Sequence, residues 1–132
     1  MNFCLLNMLN NIKNGQKSKK AFILQKKTSS QILMLNELWK EGFILGYKII
    51  NLKKKLQYLK IFLKYYSSKN LPVINSIITF TKPGKKAYCS VKNLWKLTSH
   101  IGVIFVSTNK GILKSNECKR LGVGGELLCL IK

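Results

Sequence analysis

The sequence predicts an α+β chain of two small domains, an α/β amino-terminal domain over residues 1–66 and a β-rich carboxy-terminal domain over residues 67–132. Three observations lead there. Leu5, Met8, Leu9 and Ile12, and then Ile32, Leu35, Leu38 and Trp39, recur at the spacing of one helix face. Residues 43–50 and 58–65 change to a period of two, the mark of strands. After the polar stretch Ser67–Pro72, closed by a proline, the apolar runs become short and β-branched.

Taken in order, the first stripe makes a helix that Asn14-Gly15 is expected to stop, because Gly takes the left-handed C-cap conformation without a Cβ clash. A Lys-rich connector (Lys17, Lys19, Lys20) leads to a short strand at Ala21–Leu24. Lys26-Lys27 and Thr28-Ser29-Ser30 follow, and any of these hydroxyls suits the N-cap of the second helix, which should end at Gly42. The runs 43–50 and 58–65 flank a polar turn at Asn51–Lys55 and read as an antiparallel hairpin. In the second half, Val73–Thr81 reads as a strand. Lys82-Pro83-Gly84-Lys85 reads as a turn with Pro and Gly at its centre, and Lys86–Val91 as a further strand. Asn93–Ser99 suits a helical turn and Gly102–Ser107 a buried strand. Ser115–Leu121 suits a short helix, capped by Ser115 and stopped by Gly122, and Gly125–Ile131 the closing strand.

Composition narrows the function. Against 24 Lys+Arg stand 4 Asp+Glu, a formal net charge of +20 on 132 residues, while 46% of the chain is hydrophobic. That apolar content supports a packed core, and that charge repels itself unless a polyanion neutralises it. Only Arg120 among the basic residues is not Lys, and Lys, Asn, Ile and Leu supply 69 of the 132 residues. Lys, Asn and Ile have AT-rich codons, so an AT-biased genome, organellar ones among them, is expected. Cys4, Cys89, Cys118 and Cys129 show no C-x-x-C spacing and His100 is the single histidine, which argues against zinc and for reduced thiols. The first twelve residues lack a basic n-region and a small-x-small cleavage site, so they do not read as a secretory leader. No apolar run approaches the ~18–20 residues that span a bilayer.

Catalytic readings find little material. The carboxylates are Glu37, Glu41, Glu117 and Glu126. Glu37 and Glu41, at i and i+4, suit helix-surface pairing with nearby Lys better than acid–base work. Cys89 and His100 could be drawn as nucleophile and base, but no third group orients them, and His100 reads as a loop or strand-end residue. Gly122-Val123-Gly124-Gly125 lies between helix and strand without either nucleotide-loop pattern. The chain is therefore expected to be no enzyme, with no cofactor, metal or small-molecule substrate. A polyanion suits it better. Lys17/19/20/26/27, Lys53/54/55 and Lys82/85/86 all fall in connectors, from which long side chains reach phosphates, although an ordinary solvated surface would also carry them. Phosphate contacts fix register rather than specificity. The candidate reader is Ser107-Thr108-Asn109-Lys110-Gly111, which offers two hydroxyls, an amide and an ammonium after a buried strand. A plain polar turn fits the same string.

With that loop placed, the chain resembles the small-subunit ribosomal protein eight family, the universal S-eight proteins. The match is carried by G-V-I-F-V-S-T-N-K-G-I-L from Gly102 and R-L-G-V-G-G-E-L-L-C from Arg120. I-I-T-F-T-K-P-G-K-K-A-Y over residues 77–88 adds to it. Looser matches are M-L-N-N-I-K-N-G-Q at 8–16 and W-K-E-G-F-I at 39–44. The resemblance implies two α+β domains and direct binding to the central domain of small-subunit rRNA early in assembly. It implies that Ser107, Thr108, Asn109 and Lys110 enter a distorted minor groove of an RNA stem, flanked by Gly124, Glu126 and the RNA-facing Tyr88. Lys82, Gly84 and Lys86 belong to the matching P-G segment. In the amino-terminal half, Lys13, Asn14, Thr28 and Ser29 are the expected RNA contacts; there the family's Ser-Ser-Lys-x-Lys segment is replaced by Lys27-Thr28-Ser29-Ser30-Gln31, with Lys26 and Lys27 as unspecific phosphate binders in its stead. Phe3-Cys4 replaces the family's Asp-Pro opening, and Asn109 stands where Ser is common. Neighbouring small-subunit ribosomal proteins are expected partners, and the expected location is an organellar ribosome, a mitochondrial one first and a plastid one as alternative. The competing reading is an unspecific polybasic protein bound to RNA or to a membrane surface, which in the membrane case calls for one amphipathic basic helix.

Overall fold

The computed structural model of the chain describes residues 3–53, 55–66, 70–82, 84–97 and 102–132. Among these the chain runs α1 (Phe3–Lys17), β1 (Phe22–Lys26), α2 (Ser29–Lys40), β2 (Ile44–Lys53), β3 (Leu56–Leu63), β4 (Tyr65–Tyr66) and β5 (Leu71–Pro72). It continues β6 (Ile77–Thr79), β7 (Tyr88–Cys89), α3 (Val91–Lys96), β8 (Val103–Thr108), β9 (Gly111–Lys114), α4 (Ser115–Leu121) and β10 (Gly125–Ile131). This is the α+β class. The backbone falls into two compact units, Cys4–Asn75 and Ser76–Lys132. The predicted boundary stretch at Ser67-Ser68-Lys69 lies outside the described residues, and the short β4–β5 ladder on its two sides belongs to the first unit.

In the first unit the three strands are ordered β1-β3-β2, all antiparallel. β3 buries Leu59, Ile61 and Leu63 at alternate positions, as its period of two predicts. α1 buries Leu5, Met8, Leu9 and Ile12, the predicted stripe. The helix does not stop at Gly15, however. Gly15 is buried inside α1, where a Cβ would stand 2.7 Å from Ile23 Cγ2 and 2.9 Å from Leu63 Cδ1, so its role is close packing. The stop comes four residues later at Lys19, which takes φ +57. The amide of Lys20 bonds the Gly15 carbonyl and that of Lys19 the Gln16 carbonyl, the paired bonds of a Schellman motif.

α2 is capped at Thr28, whose amide donates to Gln31 Oε1 at 3.2 Å. Its end is as predicted. Gly42 at φ +78 and Phe43 bond back to Trp39 and Leu38. Its buried face differs from the predicted stripe, being Gln31, Met34, Leu35, Glu37 and Leu38, while Trp39 is exposed. Gln31 tolerates burial because its amide also donates to the Cys4 carbonyl at 3.0 Å. Glu37 pairs with Lys40 at 3.1 Å as expected of helix neighbours, but it is buried and not a surface residue. The β2–β3 hairpin is longer than expected, since its ladder continues to the pair Lys53–Leu56.

The second unit holds a sheet ordered β6-β10-β8-β9, with β7 also on β10. Cys89, Leu94, Ile104, Val106, Cys118 and Leu127 form its buried cluster. The predicted strand at Val73–Thr81 shortens to β6, and that at Lys86–Val91 to β7, because Ser90 caps α3 by accepting from the Asn93 amide at 3.4 Å. α4 starts one residue before expectation, with Lys114 rather than Ser115 at its cap position, and ends as predicted at Gly122 (φ +68). The predicted turn residue Pro83, and Thr98, Ser99 and His100, lie outside the described residues.

Candidate nucleic-acid interface

The predicted reader is the tip of the β8–β9 hairpin. Thr108 pairs with Gly111, leaving Asn109 and Lys110 as the two exposed turn residues. Gly111 takes φ +108, the position a side chain would strain. Thr108 locks the turn, its hydroxyl donating to the Gly111 carbonyl at 2.9 Å and accepting from the Lys110 amide at 3.1 Å. That role was not evident from the residue string, which offered Thr108 only as a ligand donor. Its half-buried hydroxyl now fixes where the Asn109 amide and the Lys110 ammonium project.

Pairing register builds the surface beside the tip. Glu126 lies opposite Ser107 on one side of β10 and opposite Tyr88 on the other. Directly paired residues project to one face, so Tyr88, Glu126 and Ser107 make a row across β7, β10 and β8. The adjacent pairs, Gly125–Cys89 and Leu127–Val106, turn to the opposite face, where Cys89, Leu127 and Val106 enter the buried cluster with α3 and α4. The core therefore holds the row in register. Tyr88 is 72% exposed, while Ser107 and Glu126 are half-buried.

Two glycines let these strands approach. A Cβ on Gly124 would stand 2.6 Å from the Cys89 carbonyl oxygen, and one on Gly125 would collide with the Ser107 carbonyl oxygen. The resemblance pointed to Gly124 alone. The Gly-Gly doublet before Glu126 is the signal that could have added Gly125. The adjoining basic turn is also anchored. Lys82 and Lys85 exchange backbone hydrogen bonds at 2.9 Å each, Gly84 takes φ +86, and Lys82, Gly84, Lys85 and Lys86 are exposed. Buried Thr81 ties this turn to β10, donating to the Leu127 carbonyl and accepting from the Ala87 amide at 3.3 Å.

The other predicted residues sit in the first unit on two helices. Half-buried Lys13 and exposed Asn14 lie on α1, and Asn14 lines a groove with Asn11, Ser18 and Lys20. Thr28 is occupied as the cap of α2, and Ser29 is its exposed first residue.

Of the pair weighed for catalysis, Cys89 is described and His100 lies outside the described residues. Cys89 is buried, and burial pushes its thiol up, away from the thiolate a nucleophile needs. Among the described residues no three metal-ligating side chains cluster, and no helix is long and apolar enough to cross a membrane.

The sequence profile described as Ribosomal protein S8 matches residues 4–131. The chain belongs to the ribosomal protein S8 family. Small ribosomal subunit protein uS8 of Blochmanniella pennsylvanica is 37% identical over 127 residues, 96% of this chain and 95% of the relative. The proteins of the same description from Ehrlichia canis and Orientia tsutsugamushi are 35% and 34% identical over 125 and 131 residues. These matches span 95% and 99% of this chain, and 93% and 98% of the relatives. The ribosomal protein S8 family is structural and non-enzymatic, in keeping with a surface built from a hairpin tip, a cross-strand row and a basic turn.

Proposed function

We propose that the chain is a structural constituent of the small ribosomal subunit that binds the central domain of small-subunit rRNA and supports subunit assembly. The observation that carries this reading is the turn locked by Thr108 beside the Tyr88–Glu126–Ser107 row. A-form RNA is read through its shallow minor groove, 2′-hydroxyls and unstacked bases. A fixed tip bearing Asn109 and Lys110, with the Ser107 hydroxyl behind it, suits such a groove. Tyr88 offers a stacking face, Glu126 accepts from base or sugar donors, and Gly124 keeps the backbone close. Lys82 and Lys86, beside Gly84, neutralise phosphates. Lys13, Asn14, Thr28 and Ser29 supply contacts from the first unit, Thr28 through backbone and cap geometry. Neighbouring small-subunit proteins complete the partner set.

The Lys, Asn and Ile richness supports an organellar ribosome, a mitochondrial one in our reading, although the relatives named above are bacterial.

The test is a titration of the full chain against the cognate central-domain stem and a scrambled stem of equal length, at two salt concentrations. The cognate stem is expected to win at both. Ser107→Ala is expected to lower that preference about five- to tenfold, the loss of one hydrogen bond worth ~1–1.5 kcal/mol. Lys110→Ala is expected to weaken both stems and flatten the salt dependence. Equal affinity for both stems, indifferent to Ser107, refutes shape reading and leaves the unspecific polybasic protein.

A further inference from the structure

The first unit's sheet ends on β2. Among the described residues β2 pairs only with β3, so along its ten residues alternate N–H and C=O groups turn outward with no further strand beside them. The opposite edge, β1, is five residues long and closes on Lys26. Short or charged edges resist further pairing. The start of β2 is neither, since Ile44-Leu45-Gly46-Tyr47 precedes its first Lys at Lys48.

Helix α2 makes a wall beside that edge. Tyr47 and Ile49 pair with buried Ile61 and Leu59, so both project to the helix-covered face. There the Tyr47 hydroxyl donates to Asn36 Oδ1 of α2 at 2.8 Å. Ile32, Asn36 and Trp39, at i, i+4 and i+7, form one side of that helix. Asn36, Trp39, Leu45, Gly46 and Tyr47 line a pocket of about 240 Å³ between the two elements. A bulge re-aims its rim: Ile44 pairs with Leu63 and Gly46 with Phe62, which leaves Leu45 as the extra residue. Leu45 is 61% exposed and Trp39 59%.

The chemistry of this groove selects its occupant. On a chain with 24 basic residues, none of the five lining residues carries a charge, so a phosphodiester finds nothing there to neutralise it. The volume falls below the ~300–1,000 Å³ of small-molecule sites and suits one apolar side chain. A second copy is repelled by the net charge of +20. An extended segment of another protein meets both features, its main chain completing the edge and an alternate side chain entering the pocket. Exposed Lys40 and Lys48 directly follow Trp39 and Tyr47 in the chain, so acidic residues beside the apolar one complement the rim.

We infer that β2 and α2 form a docking groove for an extended acidic-apolar segment of a neighbouring small-subunit protein, which joins the sheet as a fourth strand and seats one apolar side chain between Trp39 and Leu45. The inference rests on the small-subunit reading above.

The experiment follows amide exchange by mass spectrometry over residues 43–53 of the full chain in three states. These are the free chain, the chain on a small-subunit rRNA transcript, and small subunits rebuilt from that transcript with the remaining small-subunit proteins. About half of the β2 amides should exchange fast in the first two states, because an open edge leaves alternate amides unpaired. In the rebuilt subunit these amides should slow at least about tenfold. The double variant Trp39→Ser, Leu45→Ser should keep them fast there. Both side chains are more than half exposed, so its Tm and its preference for the cognate stem should match the parent's. Parent amides that stay fast in the rebuilt subunit, or variant amides slowed as in the parent, overturn the docking groove and leave stem reading intact. Slowing by rRNA alone also overturns it and gives the edge to RNA. A parent chain that does not enter the rebuilt subunit overturns the small-subunit reading and the groove together.

Discussion

Gly125→Ala tests how the reading surface is held together. The new Cβ would fall on the Ser107 carbonyl oxygen, 3.0 Å from the Ser107 carbonyl carbon and 3.3 Å from Thr108 Cα. All three are backbone atoms of β8, so no side chain can swing aside. A comfortable C···O contact needs about 3.3–3.6 Å, and β8 and β10 must part to provide it. Opening the ladder there gives up one or two backbone hydrogen bonds of ~1 kcal/mol each, to which strain of ~1–3 kcal/mol adds. A loss of about 2–4 kcal/mol in a chain of this size lowers Tm by roughly 10 °C. The Glu126–Ser107 pair separates with it, so preference for the cognate stem should fall along with Tm while affinity for the scrambled stem holds. Gly122→Ala is the control. Gly122 has φ +68 and no neighbour within reach of a Cβ, so the change costs about 1 kcal/mol of conformational strain and leaves stem preference intact. Parent-like Tm and stem preference in Gly125→Ala would refute the claim that close strand approach positions Ser107.

Other outcomes follow from the same structure. Tyr88→Ala removes a side chain that is 72% exposed, so thermal unfolding should shift little, whereas stem binding should weaken by ~1–3 kcal/mol if a base stacks there. Lys19→Gly relieves a non-glycine residue at φ +57 and should stabilise the chain by about 1 kcal/mol in urea titration. Burial pushes the Cys129 thiol from 9.0 up to about 12. The unfolded thiol ionises first, so its contribution is full below pH 9 and is lost between about pH 9 and 12, at about 1.4 kcal/mol per unit. The fall in urea midpoint above pH 9 should be shallower in Cys129→Ala than in the parent.

Much of the fold was legible because its signals are local. The α1 stripe, the β2–β3 alternation and the stops at Gly42 and Gly122 each depend on residues within a turn or two of one another. The misreadings share a cause. Gly15 looks like a helix stop, yet its neighbours Ile23 and Leu63 make it a packing position, and that contact is tertiary. Trp39 and Gln31 exchanged roles because Gln31 finds a carbonyl partner twenty-seven residues away. β9 went unnoticed because Gly111–Lys114 is only four residues long and becomes a strand through its pairing with β8. At the candidate site, the hairpin tip was visible as a string of polar residues, and Tyr88 and Glu126 came through resemblance. That they stand in one row with Ser107 depends on register, which no period in the sequence encodes. Gly125 was hidden for the same reason.

The path from Ser107 through β9, α4 and Gly122 back to Glu126 has a kinetic consequence. Its two ends are paired neighbours in the sheet, and a separation of only nineteen residues closes the circuit. Short circuits close at low entropic cost and form quickly. In the other unit, β1 must find β3 across forty residues, as Phe22 finds Phe62. The tip and its supporting strand are thus expected to gain amide protection early in refolding, ahead of the β1–β3 ladder.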